Sequence, residues 1–219
     1  MRLRRRAAGF TLVEVMVTVF VVAIGLLSAA ALQAVSKKAA FDAVQRSSAN
    51  ALAQDLIERM RGNRAQLKLY FGSDGSSQTV SAASPPGAQT CDSSSACSAA
   101  QLAAHDLYQW WLGLEGVSEQ VLEGSGSGAT RSSAGGLRSP TGCLSREKDS
   151  CRVVVAIAWR GMSRISQGDP DDPEDPTNNS CGQASDNLNA DYEWDAGSEQ
   201  SYRRVLVVEA NLGEGRSCP

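Results

Sequence analysis

From Phe10 to Ala34 the chain runs for 25 residues with one ionisable side chain, Glu14. As an α-helix this stretch spans roughly 37 Å, at about 1.5 Å per residue, enough to cross a hydrocarbon layer with some tilt. No proline falls in residues 10–62, so nothing breaks the helix where the apolar run ends. Val44, Leu52, Leu56, Ile57 and Met60 recur at helical spacing. Lys37, Lys38, Asp42, Gln45, Arg46, Asp55, Glu58 and Arg59 supply the opposite, polar face. Gly62-Asn63 is a stop signal. The expectation is one long helix, lipid-buried first and amphipathic afterwards, with its apolar stripe against a globular head.

The segment has three readings. Arg2, Arg4, Arg5 and Arg6 precede the apolar run, which fits a single-pass anchor with a cytoplasmic N-terminus and an exported remainder. Ala29-Ala30-Ala31 offers an A-x-A-like cleavage site, which fits a secretory signal peptide. Against the second, the run to Leu27 exceeds the roughly 7–15 residues of a signal core, and it holds an acid. The third reading accounts for the acid. Gly9-Phe10-Thr11-Leu12-Val13-Glu14 resembles the leader boundary of type IV prepilins and pseudopilins. That resemblance implies cleavage after Gly9, N-methylation of Phe10, and Glu14 as the fifth residue of the processed chain. It also implies that Glu14 meets the terminal amine of a neighbouring subunit. A carboxylate and an amine, each costly alone in low dielectric, offset part of that cost by pairing. The bland alternative is a glutamate that snorkels to the interface.

Two strings narrow the resemblance. Ala23-Ile24-Gly25-Leu26-Leu27 followed by Leu32-Gln33, and Glu58-Arg59-Met60-Arg61 with Asn63, look like the PilV family of type IV pilus minor pilins. The likeness covers residues 9–64 and is diffuse beyond. It implies an α+β, type IV pilin-like fold: a long N-terminal helix on a small antiparallel β-sheet head with disulfides. It implies four parts: a basic leader 1–9, a membrane and assembly segment 10–34, an amphipathic continuation 35–64 and a head 65–219. It implies a protein of the inner membrane, with a periplasmic head, that later enters the extracellular pilus and primes its assembly at the tip. The implied partners are other minor and major pilins, prepilin peptidase and a tip adhesin. A type II secretion pseudopilin shares the architecture and is the nearest alternative. A membrane-anchored adhesin or ligand-binding module is the alternative of another class.

In the head, Ser98-Ala99-Ala100-Gln101 reads as a capping box opening a short helix. Leu102, Ala103, Leu107, Trp110, Trp111 and Leu114 lie on one helical face, and Gly116 lies past its end. Cys151–Gly161 alternates, with Val153, Val155, Ile157 and Trp159 on one face and Val154, Ala156, Ala158 and Arg160 on the other. Tyr202–Leu212 is a second strand, expected to pair antiparallel with the first. A third is expected within 117–123 or 137–145. Residues 72–98 and the Ser/Gly tract 124–136 read as loops. Six cysteines, with no C-x-x-C spacing, point to an oxidising compartment and disulfides rather than zinc. The local pairing is Cys91–Cys97, Cys143–Cys151 and Cys181–Cys218, with some staying reduced as the alternative.

Other chemistry is thin. The net charge is −3, and the chain is more acidic once the N-terminal arginines are set aside, which speaks against nucleic acid. Asp169, Asp171, Asp172, Glu174 and Asp175 form a cluster that invites a calcium reading. The cluster lacks the D-x-[DN]-x-[DN]-G pattern, and prolines at every third position favour an extended, solvated segment. His105 and Asp106 are adjacent on a helix and so do not face each other as an acid–base pair. One histidine, no G-x-S-x-G and no phosphate loop leave no catalytic set to propose, and no cofactor or small-molecule substrate is expected.

Overall fold

The computed structural model describes residues 9–91, 96–117, 120–123, 130–133, 135–147, 150–166, 172, 175–183, 192 and 200–213. The expected long helix is α1, Leu12–Gly62. Thr11 opens it, its hydroxyl accepting the Glu14 N–H at 3.3 Å. Arg59 and Arg61 complement the dipole of the last turn. The chain forms two compact units, residues 1–41 and 42–219. In the first, every described residue is exposed, with Phe10 at 82 % and Leu27 at 74 %.

In the second unit, α1 buries Gln45, Ala49, Ala53, Leu56, Ile57 and Met60. This corrects the expected faces at two positions: Val44 is 62 % exposed and Gln45, expected on the polar face, is buried, because the inward face is turned toward the small residues Ala49 and Ala53. Gln45 is tolerated inside because its amide donates to the Gly136 carbonyl at 3.1 Å and accepts the Arg138 N–H at 3.1 Å. A 3₁₀ segment, Arg64–Tyr70, adds Leu67 and Tyr70 to the same core. The capping box opens α2, Ala99–Glu115, with both reciprocal hydrogen bonds formed. Gly116 ends it at φ 67°, pressed so close to Gly135 that a side chain has no room.

The main sheet is antiparallel throughout. Its strands are β1 (Ser77–Ser81), β4 (Thr141–Arg146), β5 (Arg152–Ser166) and β6 (Gln200–Asn211), in the order β1-β4-β5-β6. A separate hairpin pairs β2 (Gln120–Glu123) with β3 (Thr130–Ser133). The two alternating faces of β5 feed two cores. Val153, Val155, Ile157 and Trp159 pack with α1 and α2, while Ala156 and Ala158 pack with Cys181 and Tyr192 on the far side. Trp110 of α2 lies over Gly142, where a Cβ would come within 2.3 Å of the indole ring.

Three expectations about the head change. Residues 72–98 are not all loop: β1 forms there, although Val80 is its one buried apolar side chain, because β4 supplies a partner. The Ser/Gly tract contains β3 for the same reason. The disulfide map also differs. Cys91–Cys97 is present, but Cys143 bonds Cys181 rather than Cys151, which also removes the expected Cys181–Cys218 pair. Register explains the change. Cys143 stands opposite Ala156, five residues from Cys151 along β5, or about 17 Å, beyond the reach of a disulfide. Cys151 is itself disulfide-bonded, to a residue outside the described set.

Candidate functional site

The candidate surface begins at the N-terminal end of α1. Thr18 and Ser28 turn their hydroxyls back onto the Val15 and Ile24 carbonyls, at 2.9 and 3.0 Å, so neither leaves an unmet donor. The Glu14 carboxylate has no partner among the described residues. Val13 and Val17 beside it, and Val21 and Ile24 further along the helix, are each more than half exposed. An isolated chain cannot satisfy this surface. A continuous apolar helix of this length suits lipid or other helices, and no cation meets its acid among the described residues. Among the described residues, one helix is long and apolar enough to cross a membrane, and it is α1.

The head fixes its own stretch of α1 with polar ties that the sequence did not announce. Asp42 accepts the Met162 N–H at 2.9 Å and meets Arg204 at 3.3 Å. The Met162 N–H is available because the β5–β6 register shifts between Arg160 and Ile165. Arg204 also donates to the Ser163 carbonyl at 2.9 Å and lies flat over Gly161. At the other end, Asp106 is 5 % exposed, accepts the Tyr70 hydroxyl at 2.6 Å and pairs with Arg59 at 3.4 Å. Burial, reinforced by Asp106, pushes the Tyr70 hydroxyl well above the usual phenol range. The Trp110 indole N–H donates to the Leu52 carbonyl at 3.0 Å.

His105 and Asp106 are held apart. His105 Nδ1 is 2.8 Å from the Gln89 carbonyl, whereas Asp106 points into the core. The missed signal is phase: Asp106 falls on the same helical face as Ala103, Leu107 and Trp110, so it had to be buried and paired.

Beyond the sheet, Arg203 is 1 % exposed and donates to the Cys181 carbonyl at 2.8 Å and the Thr177 carbonyl at 3.0 Å. It also reaches the Asn179 carbonyl. With no carboxylate pairing it among the described residues, burial lowers its pKa to about 10. Arg203 and the Cys143–Cys181 bond together hold residues 177–181 against the sheet. Of the candidate calcium ligands, Asp169, Asp171 and Glu174 lie outside the described residues. Asp175 caps a short 3₁₀ turn, accepting the Thr177 N–H at 2.8 Å and its hydroxyl at 2.7 Å, which holds its carboxyl below the usual range. Asp172 is exposed. No group of three metal-ligating side chains occurs among the described residues.

The apolar helix and the helix-plus-sheet head fit a membrane-anchored protein. Two family models agree with it. Residues 4–30 match the prokaryotic N-terminal methylation motif, and residues 31–108 match type IV pilin Tt1218. Over these residues the chain is type IV pilin-like; type IV pilins are structural rather than catalytic proteins. No curated protein and no solved structure matches it.

Proposed function

We propose that this chain is a minor pilin of the PilV kind, processed and assembled through its N-terminal helix. Residues 1–9 act as the leader, removed after Gly9, and the new N-terminus at Phe10 is methylated. Residues 10–34 then serve as the membrane and assembly segment, 35–64 as the amphipathic continuation, and 65–219 as the head. The basic leader faces the cytoplasm, and the head folds in the periplasm, where its disulfides form. The observation that carries this reading is Glu14, the one ionisable side chain in a run of apolar helix that the chain leaves bare. The freed amine of a neighbouring subunit is the cation that suits it, and pairing fixes the register between packed helices. Other minor and major pilins and a tip adhesin are the partners, and priming of the pilus tip is the role. The Leu32-Gln33 and Glu58-Arg59-Met60-Arg61 strings favour the pilus over a type II secretion pseudopilus.

Intact-mass measurement of the mature protein tests the first step. The expected result is loss of residues 1–9 with a gain of one methyl group. A chain starting at Leu32 would mean that the helix is a discarded signal peptide.

A further inference from the structure

A groove of about 630 Å³ runs along the far side of the main sheet, away from α1 and α2. One wall is β1, through Ser77 and Thr79, and the floor is Ser145, Cys143 and Ala156. The other wall is the 179–183 segment, through Asn179, Ser180 and Gln183. That wall is fixed by the Cys143–Cys181 bond beneath it and by Arg203 behind it. The groove is therefore built on rigid supports rather than on a free loop.

Its lining is unusual for the surface of an acidic head. None of the lining residues among the described set is ionisable at neutral pH. The hydroxyls of Ser77, Thr79, Ser145 and Ser180 make no hydrogen bond to another described residue. The Asn179 side-chain oxygen accepts the Cys181 N–H at 2.9 Å, which turns its amide N–H₂ outward. A hydroxyl both donates and accepts, so this lining matches a ligand whose own groups do the same. Among the described lining residues, a carboxylate or phosphate finds no cation and a metal finds no charged ligand. The apolar floor offers contact for a C–H face, and the volume lies in the range of small-ligand pockets.

We propose that this groove is a binding site for a neutral oligosaccharide, held between the hydroxyls of β1 and β4 and the amides of the 179–183 wall. The proposal goes beyond pilus assembly and stands whether or not the chain primes a filament.

The test uses the full chain in a sugar-free detergent and saturation-transfer NMR. The probes are maltotriose, chitotriose, mannotriose and lactose, with sialyllactose as the anionic counterpart and a Thr/Val-rich heptapeptide as an extended strand. The expected result is saturable transfer to at least one neutral sugar, with a Kd on the order of 1 mM, and none to sialyllactose. Thr79→Arg and Ser180→Arg, from opposite walls, should each weaken binding about tenfold, the scale of one well-made hydrogen bond. Asn50→Arg, on the exposed side of α1, should leave it unchanged. Thermal melts show whether each variant is folded, and two walls guard against one failing. No transfer to any neutral sugar overturns the proposal. So does binding that survives both wall variants, or preference for sialyllactose or the heptapeptide.

Discussion

The two stretches of α1 on either side of Phe41 share one backbone and solve opposite problems. In residues 42–62, every polar side chain that faces inward is met by the chain itself: Asp42 by Met162 and Arg204, Gln45 by residues 136 and 138. In residues 10–41 the apolar side chains face outward, and Glu14 has no partner among the described residues. The first kind of helix is explained by its own fold. The second is explained only by what surrounds it, so it carries information about function. A buried polar group that the chain satisfies is architecture; under the proposed function Glu14, which the chain leaves exposed, is a docking feature.

That contrast can be broken first by the largest change in the head. Trp110→Ala removes the indole that covers Gly142 and bonds Leu52, and should cost about 3–5 kcal/mol of head stability. Thermal unfolding of the full chain in detergent should show it, while membrane partition stays unchanged. A loss of membrane partition would mean that the two stretches are not independent. Cys143→Ser paired with Cys181→Ser should cost about 2–4 kcal/mol through the freed 38-residue separation. Intact membrane partition is again expected.

The smallest effect sharpens the comparison through pH. Glu115 ends α2 beside the negative pole of the helix dipole, and burial raises its pKa above 4.5. The folded state then holds this proton more tightly than the unfolded one. Its contribution is most favourable below the unfolded pKa and declines as pH rises through the raised folded value. Glu115→Gln should therefore gain a few tenths of a kcal/mol at neutral pH, given the partial exposure of the group. The gain should vanish in melts run below about pH 4. A variant less stable than the parent at neutral pH would mean that the carboxylate has a favourable partner.

Much of this was legible from residues. The length of α1 followed from an unbroken 3.6-residue pattern and the absence of proline, and α2 followed from Ser98, Gln101 and Gly116. The partnership of β5 and β6 followed from one alternating β-branched run, Cys151–Gly161, and a second strand-like run, Tyr202–Leu212. What stayed hidden depends on long-range register. β1 carries little local signal and exists because β4 is beside it. The Cys143–Cys181 bond needed the offset of β4 against β5, which spacing along the chain does not encode. Arg203 lay unremarked in the Tyr202–Leu212 strand, yet it is a buried strut whose guanidinium bonds the carbonyls of residues 177–181. In the N-terminal helix the reverse holds. Glu14 was conspicuous because a charge in an apolar run has a cost that needs no neighbour to be seen.

The most direct test of the account is therefore incorporation of a Glu14→Ala chain into filaments, measured against the parent by quantitative mass spectrometry of sheared pili. Membrane insertion and head melting serve as controls. Both controls should match the parent while incorporation falls at least about tenfold, as the loss of one desolvated ion pair would give. Parental incorporation with Ala at this position would contradict it, and Glu14 would then be a tolerated charge rather than the contact that sets the helices in register.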